Sequence, residues 1–427
     1  TLEETQPLGE EAQESDVDSV SFLSRGKDLC DPAVKQVYGY YSGSNGRRLF
    51  FWLFESRSNP AKDPLVLWLS GGPGCSSMTG LILENGPCTI NEYGNDTKLN
   101  PYSWNTRANL LFVDQPVGAG FADGPPVTNG SFGAADDLYM ALQEFFAKHT
   151  QYRGKDFYIT GESYAGHYIP AIAHKILREN TRRIEPHIPL RGIAIGNGWM
   201  NAAIQVLDYP EMAFQSCTAP HVATRKECEY IRQCSVYLPV QIPDDEYDMR
   251  ITSKDGSTGN IGDARLERYL NRKDVQRKLG VCKRFKSCSD VGDFSMDEIT
   301  PTETLLPDLL DAEIRVLLYD GDQDYICNWI GYEHVANEMA WPGRDAFLRA
   351  PRYEYEGADG ISVGLLRSIR WKEKGMFGFF QVYRAGHLVP TEQPEAALLM
   401  INDFIDGIMG PVPFTTTAES GNNSSEL

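Results

Sequence analysis

Residues 155–168 read KDFYITGESYAGHY, a short run of β-branched and aromatic side chains leading through a glycine-flanked serine into a helix-forming stretch. A strand that turns this sharply into a helix lifts the serine hydroxyl above a sheet and aims free backbone N–H groups at whatever the hydroxyl attacks. Such a turn tolerates only small neighbours, and Gly161, Ala165 and Gly166 provide them. The usual pattern has glycine where Ala165 stands, so other segments must agree before Ser163 is read as a nucleophile.

The 427 residues carry 41% hydrophobic and 11% aromatic side chains, enough for one large catalytic domain with an insertion or for two domains. No apolar run approaches the roughly 18 residues that a bilayer span requires, and the acidic N-terminus does not resemble a signal peptide. With 40 basic against 59 acidic residues, the net charge of −19 disfavours nucleic acid and anionic membranes as partners. A pI near 4.8 brings the molecule towards neutrality in an acidic compartment.

Nine cysteines, at 30, 75, 88, 217, 228, 234, 282, 288 and 327, lack the paired spacing of a zinc knuckle and read as disulfides with one odd thiol. Sequons at Asn95, Asn129, Asn422 and Asn423 agree with passage through an oxidising secretory route.

Residues 1–20 are acidic and aromatic-poor, and 411–427 form a Thr/Ser/Asn/Gly tail, so both ends are expected to be flexible. Strands are expected at 37–41, 49–55, 65–70, 110–114, 157–160, 192–195, 314–319 and 379–383, with helices at 134–148 and 170–179. The runs 65–70 and 110–114 are apolar almost throughout, as in strands covered on both faces, which predicts an α/β fold with a mostly parallel centre. Between 200 and 310 the strand rhythm lapses, five cysteines gather and a helix is expected at 264–279. We expect 200–310 to be an inserted, disulfide-braced cap dividing a core of 21–199 and 311–410.

Ser163 needs a histidine base and a carboxylate that fixes the imidazole tautomer. In the chain order Ser, Asp, His, the base among seven histidines is His387, in the loop after the strand at 379–383. Asp320, Asp322 and Asp324 share the loop after the strand at 314–319, and spacing does not choose among them. A calcium loop is rejected because its sixth and twelfth positions would be Tyr325 and Gly331. WLSGGPGCSS at 68–77 can line a concavity with backbone N–H groups, as an oxyanion hole requires. No Gly-Lys-Ser/Thr follows it, so it is not a phosphate loop.

Together, WLSGGPGCSS, GESYAG at 161–166, DQDYICNW at 322–329 and GH at 386–387 resemble the serine carboxypeptidase family of the carboxypeptidase Y and cathepsin A type, over about residues 30–410. ENGPC at 84–88, NPYSWN at 100–105, DQPVGAGF at 114–121 and IGNGW at 195–199 look like the same family. The resemblance implies an α/β-hydrolase fold, a secreted or vacuolar zymogen, no cofactor and no metal. It implies Ser163 as nucleophile, Asp324 as orienting acid, His387 as base, and the N–H groups of Gly72 and Tyr164 as oxyanion donors. Glu84 and Glu162 match an acidic pair that binds the substrate's terminal carboxylate when one carries a proton, with Trp68 and Gly71 beside it. Ser70 stands where the family usually has Asn, which replaces an amide with a shorter hydroxyl.

By the same correspondence Cys75 pairs with Cys288 and Cys327 is the free thiol. Three further bridges would pair the other six cysteines, with Cys30 and Cys88 as a candidate core pair. Tyr164, Ile326 and Cys327 would line the pocket before the scissile bond; Thr79, Leu83 and Leu388 would receive the terminal residue. The implied reaction removes one C-terminal amino acid through an acyl-enzyme, favoured at acid pH, in a monomer or homodimer. The rivals are an acyltransferase or hydroxynitrile lyase on the same scaffold, and a non-catalytic protein retaining the fold.

Overall fold

The computed structural model describes residues 29–218 (side chains to 213), 245–251 and 264–409. The segments expected at 1–20 and 411–427, sequons Asn422 and Asn423, and the side chains of Cys217, Cys228 and Cys234 lie outside the described residues. Among the described residues twelve strands form: β1 (Gln36–Ser42), β2 (Arg48–Phe54), β3 (Leu65–Leu69), β4 (Cys88–Ile90), β5 (Thr97–Leu99), β6 (Asn109–Val113), β7 (Phe157–Glu162), β8 (Leu190–Gly196), β9 (Arg315–Gly321), β10 (Tyr353–Glu356), β11 (Ser362–Trp371) and β12 (Gly375–Val382). Ten of them make one sheet in the order β1-β2-β6-β3-β7-β8-β9-β12-β11-β10, and β4 pairs with β5 in a separate hairpin. From β6 to β12 every neighbour pair is parallel, while the two pairs at each end are antiparallel.

The near-continuous apolar runs follow from this placement, because side chains alternate between two covered faces. Leu65, Leu67 and Leu69 of β3 join a cluster with Ile159, Ile193 and Val316, into which pack helices α1 (Gly130–Lys148) and α2 (Ala165–Thr181). Val66 and Trp68 point the other way and join Tyr158, Leu317 and Phe380. That face is covered by α3 (Ala264–Leu270), α4 (Lys273–Leu279) and α5 (Pro394–Asp406) through Leu266, Leu270, Val275, Met400 and Phe404.

Two helices depart from expectation for local reasons. α2 begins at Ala165, five residues before Pro170, although proline supplies no N–H to the carbonyl four residues back. The orphaned carbonyl belongs to Gly166, and the Thr302 hydroxyl donates to it at 2.7 Å. The helix expected at 264–279 breaks into α3 and α4, with Arg272 extended at ψ 133°. Asn271 sets the break: its amide donates to Glu267 O and Phe285 O while its Oδ1 accepts from Phe285 N.

Cys75–Cys288 forms, joining the loop after β3 to the 200–310 segment across 213 residues, and Cys30–Cys88 forms as well. The expected full set of three further bridges is corrected by Cys282, which is an exposed free thiol.

Candidate active site

The C-terminal ends of the parallel strands gather the site, where open α/β sheets bind ligands. β7 ends at Glu162, and Ser163 follows with a φ of 61°, a left-handed conformation rarely adopted by non-glycine residues. Four main-chain hydrogen bonds hold it there. Ser163 N donates to Gly196 O at 3.0 Å and Asn197 O at 3.1 Å, while its carbonyl accepts from Gly166 N and Trp199 N, both at 2.9 Å.

The loop after β3 lies against this turn. A Cβ on Gly71 would sit 2.4 Å from Tyr164 N, and one on Gly161 would sit 2.1 Å from Leu69 O, so both positions demand glycine. The approach carries Gly72, at φ 113°, towards the turn, and neither Gly72 N nor Tyr164 N donates to a protein acceptor among the described residues. The Tyr164 ring is occupied elsewhere: it stacks on His167, and its hydroxyl donates to Asp297 at 2.9 Å.

Asp114 anchors the same loop. Its Oδ1 accepts from Ser76 Oγ at 2.6 Å and Ser77 N at 3.0 Å, and its Oδ2 accepts from Phe121 N at 2.8 Å. Its pKa rises to about 6, because full burial outweighs those donors.

The candidate acid and base, Asp324 and His387, lie on the loops after neighbouring strands β9 and β12. His387 Nδ1 and Asp324 Oδ2 are 2.7 Å apart, and both residues are buried. Asp322 instead braces the turn by accepting from Arg384 N at 2.8 Å. Asp320 lies deeper, its pKa pushed well up by burial and by the charges of Asp324 and Asp322. Burial would lower the His387 pKa, but Asp324, with smaller contributions from the charges of Glu84 and Glu392, makes the net shift upward. His387 Nε2 is buried with no hydrogen-bond partner among the described residues, so the imidazole is not bonded to the Ser163 hydroxyl.

Asn197 links the two sides. Its carbonyl accepts from Ser163 N, and its Nδ2 donates to Asp324 Oδ2 at 2.8 Å, to Asp320 Oδ1 at 2.9 Å and to Gly386 O at 3.2 Å. The sequence alone gives this residue no role. Its signal was its position in IGNGW at the end of β8, beside the elbow strand, with a φ of 46° that asparagine tolerates.

Glu84 ends a π-helical turn, Gly80–Glu84, and Glu162 ends β7; both are buried. As two carboxylates they have nothing to exchange, and both Glu84 oxygens lack a donor. Burial raises both pKa values, Glu84 to about 7, and the charge of Glu84 pushes Glu162 further up. One of the pair therefore keeps a proton and donates to the other. Nearby, Trp68 Nε1 donates to Ser70 Oγ at 3.1 Å, while Ser70 N donates to Ser77 Oγ at 3.2 Å.

Thr79 is buried with its hydroxyl unpartnered, and Leu83 and Leu388 are half-buried. Thr391 Oγ1 donates to Leu83 O at 3.0 Å, which ties the π-helical turn to the segment after His387. Ile326 is half-buried, and Cys327 is a buried free thiol whose donor atom lies within 4.8 Å of those of Asp324 and His387. Burial, then Asp324, pushes the Cys327 pKa well up, so the sulfur stays protonated and is a poor nucleophile. Asn95 and Asn129 are exposed.

A model of the serine carboxypeptidase family matches this chain over residues 28–237 and 215–407. The chain belongs to the serine carboxypeptidase family. It is 36% identical to a carboxypeptidase Y homolog A of Sclerotinia sclerotiorum, over 93% of this chain and 79% of that protein. It is also 36% identical to a vacuolar serine-type carboxypeptidase of Saccharomyces cerevisiae, over 88% of this chain and 80% of the other. Against carboxypeptidase Y of Schizosaccharomyces pombe the identity is again 36%, covering 90% of this chain but 42% of that longer protein. Among solved structures, a prohormone-processing carboxypeptidase from Saccharomyces cerevisiae superposes with a TM-score of 0.72 at 23% identity, covering 90% of this chain and 94% of the other, and so shares the α/β-hydrolase fold. As a serine carboxypeptidase the chain is a hydrolase acting on peptide substrates, and the acyltransferase and hydroxynitrile lyase readings are not favoured. No helix among the described residues is long and apolar enough to cross a membrane.

Proposed function

We propose that this carboxypeptidase removes single C-terminal residues by attack of Ser163 on the last peptide carbonyl, with His387 as base and Asp324 fixing its tautomer. The observation that carries the reading is the 2.7 Å Asp324–His387 pair, joined through Asn197 to the main chain of Ser163. Gly72 N and Tyr164 N hold the oxyanion, and His387 returns the proton to the leaving amine before water cleaves the acyl-enzyme. The buried Glu84–Glu162 pair, with Trp68, Ser70 and Gly71, receives the terminal carboxylate, and closing the cleft there makes the enzyme an exopeptidase. Thr79, Leu83 and Leu388 take the departing side chain; Ile326 and Cys327 take the one before it.

Carboxylate binding requires the shared proton, so affinity for peptides is greatest at acid pH and declines as the pair ionises. We place the enzyme in the secretory route, ending secreted or in a vacuole, with glycans on Asn95 and Asn129 and a cap over 200–310. Two disulfides and the vacuolar relative support that placement. The test is release of free amino acids from N-blocked dipeptides and from the same dipeptides as C-terminal amides. Only the free acids should be cleaved efficiently; equal rates would overturn the exopeptidase reading.

A further inference from the structure

Asp324 and His387 are delivered by two separate loops, and the bases of those loops are joined directly. Gln323 N donates to Ala385 O at 2.8 Å, and a Cβ on Gly321 would lie 2.2 Å from Gly386 O. A third segment bonds to both loops. Residues 245–251 come from the 200–310 region and lie across them. Glu246 O accepts from Tyr325 N at 3.2 Å and Ile326 N at 3.0 Å, and Met249 N donates to Gln323 O at 3.0 Å. On the other side, Tyr247 O accepts from His387 N at 2.8 Å, and the Tyr247 ring stands edge-on to the imidazole with centroids 5.0 Å apart. The fit is close, since a Cβ on Gly386 would lie 2.5 Å from Tyr247 O.

One side chain fastens this strap. Arg250 grips Asp248 within the strap through Nε at 2.8 Å and Nη2 at 2.6 Å, donates through Nη1 to Arg384 O at 2.7 Å, and pairs with Glu392. Glu392 in turn accepts from Gly386 N at 2.8 Å, the residue before the base. The guanidinium thus connects the strap to both ends of the His387 loop, a task for which its planar fork is suited and a lysine ammonium is not.

We propose that Arg250 is a positioning residue, which locks the 245–251 strap across the acid and base loops and so holds the Asp324–His387 pair in its working geometry. It touches neither the Ser163 turn nor the Glu84–Glu162 pair, so its effect falls on turnover more than on binding of the terminal carboxylate. The proposal rests on the reading of Asp324 and His387 as acid and base.

Arg250→Met should lower kcat on a blocked dipeptide by about tenfold to a hundredfold, the scale of an ångström's misplacement, with KM unchanged. In Arg250→Ala, which vacates the space of the side chain, millimolar guanidinium should restore part of the same loss. Arg107→Met, which breaks an exposed arginine–carboxylate pair with Asp406 elsewhere, should leave kcat unaltered. Unchanged kcat in folded Arg250→Met, or a loss confined to KM, overturns the proposal. Should Arg250→Met not fold, Arg250→Lys and Glu392→Gln are read the same way, and wild-type kcat in both overturns it. Ser163→Ala run alongside separates the two ideas. If it is inactive while Arg250→Met is normal, only the strap falls; if it is active, the triad reading falls.

Discussion

The two halves of the candidate active site are built in different ways. The nucleophile half is set by short-range steric demands: Gly71 and Gly161 allow backbone to approach backbone, and Ser163 is held in a left-handed conformation by main-chain hydrogen bonds from β8 and the segment after it. The acid–base half depends on polar side chains from distant parts of the chain, with Asn197, Tyr247, Arg250 and Glu392 all converging on two loops. Close packing positions the first half, and charge and hydrogen bonding position the second. Substitutions in the second half can therefore alter protonation and turnover while leaving the sheet undisturbed.

The largest expected effect that sharpens this contrast comes from Asp324→Asn. It keeps the shape of the side chain but removes the charge that fixes the tautomer, so kcat should fall by about 10⁴-fold. Because Asp324 is the foremost of the groups that raise the His387 pKa against burial, its loss should also move the base limb of any residual pH profile to lower pH. A limb that stays in place would mean that another group sets the His387 charge.

A smaller effect is expected from Glu84→Gln combined with Glu162→Gln. On the proposed reading these groups bind the substrate carboxylate only while one of them is protonated, so wild-type KM for peptides should rise as pH climbs through the pair's raised pKa range, around 7 for Glu84. The double variant should have a pH-independent KM, raised about 10–100-fold at acid pH, with ester substrates unaffected. A KM that still climbs with pH would move the titration to another site.

The same contrast explains what could be read in the sequence. The central strands were legible because covering both faces demands continuous apolar runs such as LVLWL and NLLFV. β10 and β11 were not, since the half-buried pattern of SVGLLRSIRW interleaves arginine and serine with the apolar positions. Pro170 hid the first turn of α2, because the donor that rescues its helix is Thr302, far along the chain. At the site, the residues embedded in glycine-rich motifs could be recognised locally. Asn197, Asp114 and the strap could not, since their meaning lies in partners that the fold alone brings together. Spacing does not choose among Asp320, Asp322 and Asp324, because the partner that distinguishes them, His387 at 2.7 Å from Asp324, lies 63 residues further along the chain.

The central claim is that Ser163 is the atom source of the acyl-enzyme, and the most direct measurement is peptide mapping by mass spectrometry after inactivation with a serine-directed organophosphonate. The account predicts one adduct, on the peptide containing Ser163, formed in step with loss of blocked-dipeptide hydrolysis and absent in Ser163→Ala. An adduct on a different serine accompanying inactivation, or full hydrolysis by enzyme modified at Ser163, would contradict it.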